Sequence, residues 1–400
     1  MTANEPRLDG VRILVLFGAA QLFGQERGNI EALRNLSEMG AEVRVLTSRR
    51  FGAAEIQPEL DAQGLEWTPA GFGYTWHSYL LGRHFFYLAY NLAGVVAVSF
   101  KLGREIRRWR PTHLYCMNWQ YFLYALPTLM ILRRIPLIWR AGDIPPTHTR
   151  LHRWMLRMLL RRVSQMVCIS HFIQRSYEAA GMSCAKLRVI HSYPPVRSRK
   201  CADAAAPQPI KPKDAIAVVF IGQVARIKGA DLLVEAIGDL VSRGRNVCLW
   251  MAGTTDWDDA FARQLSAQIT ALGLDERVQR LGFVADVAAL LDQADIHAAP
   301  SVCREALGNV VLEAKQQGVP SVVFPDGGLP ELIEHQADGF ICRDCTVPSL
   351  AEGLDFFATN PAARQRCGIA ALESLPRKFG LTRFRRQWAE VFASTNVPAT

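Results

Sequence analysis

Apolar residues recur along this 400-residue chain in two alternating rhythms. Short, almost unbroken runs (VRILVLF from Val11, AEVRVLT from Ala41, HLYCM from His113, PLIWR from Pro136, QMVCIS from Gln165, LRVIHS from Leu187) are separated by amphipathic or turn-rich stretches such as Asn29–Met39. The runs read as strands buried on both faces, and the stretches between them as covering helices. Strand–helix alternation of this kind predicts a parallel sheet. Near Val196 the rhythm stops. RSRKCADAAAPQPIKPKD, Arg197–Asp214, is rich in Pro, Ala and Lys and reads as a linker. A second alternation follows in AIAVVFIG, VCLWMAG, VQRLGF, IHAAP and PSVVF. The pattern predicts an α/β protein of two doubly wound parallel-sheet domains facing across a cleft. They span residues 1–196 and 215–379, joined by a linker over 197–214, with a helix at 380–396 placed to pack back on the first domain.

Two uncharged stretches change the picture only if they span a membrane. Sixteen residues separate His84 from Lys101, short of the roughly 20 a spanning helix needs. Twenty-two separate Arg110 from Arg133, but Pro111, His113, Asn118, Gln120 and Pro127 interrupt them. Both read as buried elements. The polar start, MTANEPRLDG, leads straight into a strand pattern and does not read as a secretory signal. Nine cysteines without scaffold spacing read as reduced thiols, and Cys342–Cys345 has no second pair to complete a zinc site.

Charge is uneven. Residues 1–197 carry 25 Lys/Arg against 13 Asp/Glu, and the remainder 21 against 24. Between Trp67 and Arg162 there are 14 basic residues and two acids, Glu105 and Asp143. Such a field suits polyanions or an anionic bilayer. In Leu151–Arg162, one helical face would carry Leu151, Trp154, Met155, Met158 and Leu159 beside a stripe of Arg150, Arg153, Arg157 and Arg161. This points to peripheral membrane contact, or to a helix packed on its own domain with its arginines in solvent. No nucleic-acid-binding module is evident.

In open parallel sheets ligands sit beyond the carboxyl ends of the strands, so those loops are where chemistry is sought. FIGQVARIKGADLLVEA brings a strand to Gly222 and follows it with Gln223, Arg226 and Lys228 before a helix begins near Gly229. Two cations beside a helix start suit a diphosphate. Further on, IHAAPS reads as a strand end, VCREALG as a loop and NVVLEAKQQ as a helix closed by Gly318. Glu305 precedes that helix and Glu313 lies just over one turn inside it, so both carboxylates can face one pocket. Gly308 and the first helical amides, at Asn309 and Val310, form an anion site. Carboxylates repel phosphate and accept hydroxyls, so one Glu on each side of a diphosphate describes a nucleotide-sugar.

PSVCREALGNVVLEAKQQGVPSVVFPDGGLPELIEHQADGFI, with GQVARIKG before it, resembles the retaining family 4 glycosyltransferases of the GT-B fold. The resemblance implies that Glu305 binds the donor sugar, Glu313 the nucleotide ribose and Lys228 the diphosphate. It sets the loop from Leu307 through Gly308, Asn309 and Val310 at the distal phosphate. FGQE, Phe23–Glu26, is similar to the family's G-G-x-E loop, which would put Gly24 close to the donor phosphates. The chain departs from the family at three places. Gln223 stands where a phosphate-binding arginine is usual, with Arg226 placed to supply the charge. Phe23 replaces the first glycine, and in LIWRAGD Gly142 stands where a functional histidine is usual, leaving His148 and His171 as alternatives.

The implied chemistry is retaining hexosyl transfer from a nucleotide-sugar to a hydroxyl, with Glu305, Lys228 and Arg226 as the catalytic groups and no cofactor or metal. Asp256–Trp257–Asp258 resembles a metal-binding D-x-D but reads as acids at a helix start. The expected acceptor is a lipid-linked sugar or glycan precursor, met by a cytoplasmic enzyme peripheral to the inner membrane face. Two other readings stay open: a nucleotide-sugar epimerase, and a catalytically inactive partner protein.

Overall fold

The computed structural model describes residues 6–18, 22, 24–49, 53–72, 85–194, 208–255 and 258–395. It divides into two compact units, Met1–Ser192 with Leu381–Thr400, and Tyr193–Gly380. Most of the predicted linker, Phe23 and the first two residues of the D-x-D lie outside the described residues.

The first unit holds a parallel sheet of β1 (Arg12–Phe17), β2 (Glu42–Ser48), β3 (Glu66–Ala70), β4 (His113–Cys116), β5 (Leu137–Ala141), β6 (Gln165–Cys168) and β7 (Leu187–Val189). Their order is β3-β2-β1-β4-β5-β6-β7. Between the strands run α1 (Gly24–Glu38), α2 (Ala53–Ala62), α3 (Phe85–Trp109), α4 (Trp119–Ile131), α5 (Arg150–Arg162) and α6 (His171–Ala179). Central strands are buried on both faces, which is why their sequences are continuously apolar.

The second unit repeats the plan with β8 (Ile216–Ile221), β9 (Val247–Ala252), β10 (Val278–Gly282), β11 (Ile296–Ala299), β12 (Ser321–Val323) and β13 (Gly339–Ile341), ordered β10-β9-β8-β11-β12-β13. Its helices are α7 (Ala230–Ser242), α8 (Asp259–Ala271), α9 (Val287–Leu291), α10 (Asn309–Gln316), α11 (Val347–Thr359) and α12 (Pro361–Phe379). Alternate residues of β8 feed opposite cores: Val218 and Phe220 pack with Val234 and Met251, whereas Ala217 and Val219 pack with Trp250 and Leu291. In each sheet the strand order reverses beside the first strand, between β1 and β4 and between β8 and β11. Those are the switch points at which such sheets open a crevice.

The last helix, α13 (Leu381–Thr395), belongs to the first unit. Trp388 is fully buried beside Tyr115, with ring centroids 5.7 Å apart. Arg385 pairs with Glu38 and donates to Asn35 on α1.

The structure adds two strands that the hydrophobic rhythm misses. β3 is an edge strand, EWTPA, that is mostly half-exposed and carries Pro69, a residue edges tolerate. β13 has only three residues. A correction concerns the uncharged run after His84. It forms α3, but the side turned to solvent is apolar, so the run is not wholly buried. Among the described residues no helix is long and apolar enough to cross a membrane.

Candidate functional site

In the second unit the loops after β8 and β11 meet at the switch point. Past β8 the chain turns through Gly222 (φ 142°) and the half-buried Gln223 into a single 3-10 turn, Arg226–Lys228. Gly229, at φ 70°, then caps α7. A Cβ on Gly229 would lie 2.0 Å from the carbonyl oxygen of Pro300, so only glycine lets the loop after β8 rest on the loop after β11. The amides of Val302 and Cys303 both donate to the Ile227 carbonyl, at 3.1 and 3.0 Å, and join the two loops.

That junction brings Lys228 to Glu305. Nζ lies 2.6 Å from Oε1, and the Ser301 hydroxyl donates to the same oxygen at 2.7 Å. Both charged side chains are half-buried, and Oε2 accepts no hydrogen bond from the described residues. The main chain behind Glu305 is buttressed by two glycines. The Gly328 amide donates to the Glu305 carbonyl at 2.7 Å, and a Cβ on Gly327 (φ 72°) would fall 2.6 Å from that same oxygen.

Leu307 is buried, and Gly308, at φ 92°, caps α10 without a side-chain hydrogen bond. A Cβ there would lie 2.3 Å from Leu329 Cδ2. The first amides of α10, including those of Asn309 and Val310, have no carbonyl a turn before them inside the helix. The Asn309 side-chain oxygen is buried and has no hydrogen-bond partner among the described residues. Glu313 lines a depression of about 70 Å³ with Val287, Ala288, Leu291, Gln316 and Gln317.

Arg226 is turned toward α7 and α8. Its guanidinium donates to Asp231 (2.8 Å) and Gln264 (2.7 Å) and lies 5.3 Å from the centre of the Phe261 ring. The structure therefore groups Lys228 with Glu305, while the Arg226 guanidinium is held by Asp231 and Gln264. Asp258 caps α8, accepting from the Phe261 amide at 2.9 Å, which is the helix-start role expected of it.

In the first unit Gly24 opens α1, exposed and with no described residue within 4 Å of the position of a Cβ. The next residue carries more information. Gln25 donates to Asp143 Oδ2 at 3.2 Å, and burial pushes the Asp143 carboxyl above the usual carboxylate range. A Cβ on Gly142 would come within 3.0 Å of the Gln25 amide nitrogen. The room a side chain at 142 would use is thus occupied by Gln25. His148 and His171 are both exposed, and His171 bonds Gln174.

Sequence reasoning missed Ser301, Gln25, Asp143 and the buttressing role of Gly327–Gly328. Ser301 precedes Glu305 by one helical spacing in PSVCRE, the one signal that was available. Of the two readings of α5, its packing follows the helix laid on its own domain with Arg150, Arg153, Arg157 and Arg161 in solvent. Leu159 is buried with Leu156 and Leu160, Met155 and Met158 are half-buried, and only Leu151 and Trp154 of its apolar face reach solvent.

Comparison with known proteins follows the same division. The family model of glycosyl transferases group 1 matches residues 203–374, and that of Glycosyltransferase Family 4 matches residues 24–192. The chain is similar to the alpha-D-kanosaminyltransferase of Streptomyces kanamyceticus, 27% identical over 177 residues, 44% of this chain and 45% of that one. It is also similar to the lipopolysaccharide core biosynthesis glycosyltransferase LpsD of Rhizobium meliloti, 25% identical over 282 residues, 70% of this chain and 75% of that one. With most such curated relatives the shared region is about half of their length, 45% for the kanosaminyltransferase. Among solved structures, Anabaena HepE in complex with UDP superposes with a TM-score of 0.78 at 20% identity, covering 96% of this chain and 100% of that one. Two family models in tandem, one on each unit, and a shared two-sheet architecture place the chain among the family 4-like glycosyltransferases of the GT-B fold.

Proposed function

We propose that the chain is a retaining glycosyltransferase that moves a hexose from a nucleotide-sugar to a hydroxyl of a lipid-linked or glycan-precursor acceptor at the cytoplasmic membrane face. The observation that carries this reading is the Lys228–Glu305 pair at 2.6 Å, held where the loops after β8 and β11 meet. A cation and a carboxylate side by side match the two parts of an activated sugar. Lys228 attracts the diphosphate, and the open oxygen of Glu305 accepts sugar hydroxyls. Glu313 takes the ribose hydroxyls, and the amides at Gly308, Asn309 and Val310 take the distal phosphate. Gly222, Gln223 and Leu307 shape the loops around the donor.

The step itself needs charge stabilisation more than a protein nucleophile. As the bond from the anomeric carbon to the phosphate breaks, negative charge grows on the leaving oxygen, where Lys228 and the α10 amides oppose it, with Arg226 contributing from the same loop. The acceptor hydroxyl attacks the face the phosphate leaves, and its proton passes to the phosphate oxygen, so configuration is retained. The step as proposed uses no metal. The UDP and UDP-glucose found with Anabaena HepE support trying uridine donors first, and the lipopolysaccharide role in the name of LpsD supports a lipid-linked acceptor.

A thermal-shift screen over nucleoside diphosphates and their sugars tests the donor. One nucleotide raising the unfolding temperature, with release of that nucleotide once an acceptor extract is added, supports transfer. Epimerised donor without any acceptor supports the epimerase reading. Binding with no turnover, in wild type and Glu305→Gln alike, supports an inactive partner.

A further inference from the structure

The solvent face of α3 carries an apolar stripe. Leu92, Val96 and Phe100, 54%, 70% and 73% exposed, recur every fourth residue and so line one side of the helix. The exposed Ala93 and Ala97 lie between them, and the inward side is formed by Asn91, Val98 and Leu102. On the neighbouring α4, Ile131 is 79% exposed. The Thr128 hydroxyl donates to the Ser99 carbonyl at 2.9 Å, which sets this end of α4 alongside the Phe100 end of the stripe.

Beyond Phe100 the same surface becomes cationic. Arg104, Arg107, Arg108 and Arg110 are exposed, as are Arg133 and Arg134 just after α4. Among the described residues no acidic side chain forms an ion pair with any of these six. The acid on this helix, Glu105, is buried and paired with Lys101 and Arg44.

We infer that the α3–α4 face, with Leu92, Val96, Phe100 and Ile131 backed by these arginines, docks on an anionic lipid bilayer. An apolar helix side bordered by cations is the arrangement that rests at a headgroup boundary, where acyl chains receive the apolar groups and anionic headgroups the arginines. A second copy fits poorly, because a two-fold contact presents this same face, and the one acid on α3, Glu105, is buried and offers the arginines no counter-charge. The stripe also replaces α5, whose apolar side is mostly packed, as the bilayer contact. The inference deepens the membrane part of the proposed function and rests on none of its transfer chemistry.

Flotation with vesicles of phosphatidylcholine alone, or containing about 30% phosphatidylglycerol, tests it. Wild type floats with the anionic vesicles, and less so as salt rises from about 0.1 to 0.5 M. The double variant Val96→Glu/Phe100→Glu and the triple variant Arg104→Glu/Arg107→Glu/Arg108→Glu each lower the bound fraction at least about tenfold. Leu151→Glu/Trp154→Glu, on α5, stays within about twofold of wild type. All substituted residues are exposed, and the arginine variant probes the face without altering its apolar groups. The thermal shift given by a nucleoside diphosphate is unchanged in both α3 variants, so a fault in the donor reading removes that shift from wild type and leaves flotation intact. Wild type that ignores anionic vesicles, or Val96→Glu/Phe100→Glu that floats like wild type, overturns the inference. So does a light-scattering dimer that this variant dissociates, since the occupant would then be a second copy.

Discussion

One oxygen of Glu305 receives both Lys228 and Ser301, and the main chain behind it leans on Gly327 and Gly328. Replacing Glu305 by Gln keeps the shape and removes the charge. Transfer should fall by about 100-fold or more while nucleoside diphosphate still gives a thermal shift, because the lost interaction belongs to the sugar side. Gly327→Ala should cost about 1–3 kcal/mol in a denaturant melt, since φ of 72° and a clash with the Glu305 backbone both oppose a side chain. Its activity should drop with that of the Glu305 variant. The two cations should separate. Lys228→Ala should weaken diphosphate binding about tenfold, the worth of one charge-assisted contact, and Arg226→Ala should do less because Asp231 and Gln264 already hold that guanidinium. At this scale the motif located Lys228 and Glu305, since both lie in short stretches of local sequence. Gln25 beside Gly142 was not legible, because the bond to Asp143 spans 118 positions.

At the scale of elements, α10 is anchored from inside the fold. Lys315 is 1% exposed and lies 2.7 Å from Asp338, which also accepts from Ser374 and from the Glu334 amide. Burial lowers the Lys315 pKa, and the Asp338 hydrogen bond opposes that shift. Lys315→Met would leave the buried Asp338 carboxylate with only Lys378, 4.0 Å away, as a cationic partner, at a cost of up to about 3–5 kcal/mol measured by urea unfolding. Lys315→Met with Asp338→Asn should recover part of this loss. The strands were legible because burial on both faces leaves an unbroken apolar run. The edge strand β3 and the short β13 were not, since an edge needs only one covered side. α3 misled for the opposite reason: an apolar run reports low polarity, and hydrophobicity alone does not say which side of a helix a neighbour covers.

For the whole molecule, each unit contains a buried histidine within its sheet, His113 on β4 in the first and His297 on β11 in the second. Burial pushes both imidazoles down to about 4. The unfolded chain, titrating near 6.5, binds these protons first, so stability is complete above about pH 6.5 and declines as pH falls toward 4. Each site can contribute about 3 kcal/mol at most to that decline. Melts recorded from pH 7 to 4 should show it, and His113→Gln and His297→Gln should each flatten the acid limb whatever their effect at neutral pH. α13 completes the first unit with Trp388 and Phe392, both buried, and with the Arg385–Glu38 pair. Removing residues 381–400 should therefore destabilise the first unit and leave the second unit's melting transition in place.

The linear sequence determined the parts that depend on near neighbours: two α/β units, their central strands, and the loops bearing Lys228 and Glu305. Hydrophobic period and turn chemistry act over a few residues, so they survive being read along a line. Tertiary structure alone decided which groups share a surrounding. It paired Lys228 with Glu305, committed Arg226 to Asp231 and filled the space beside Gly142 with Gln25. It also left the stripe on α3 open to solvent. Each of these outcomes follows from which backbone packs against which, and that is settled by chain segments far apart in sequence.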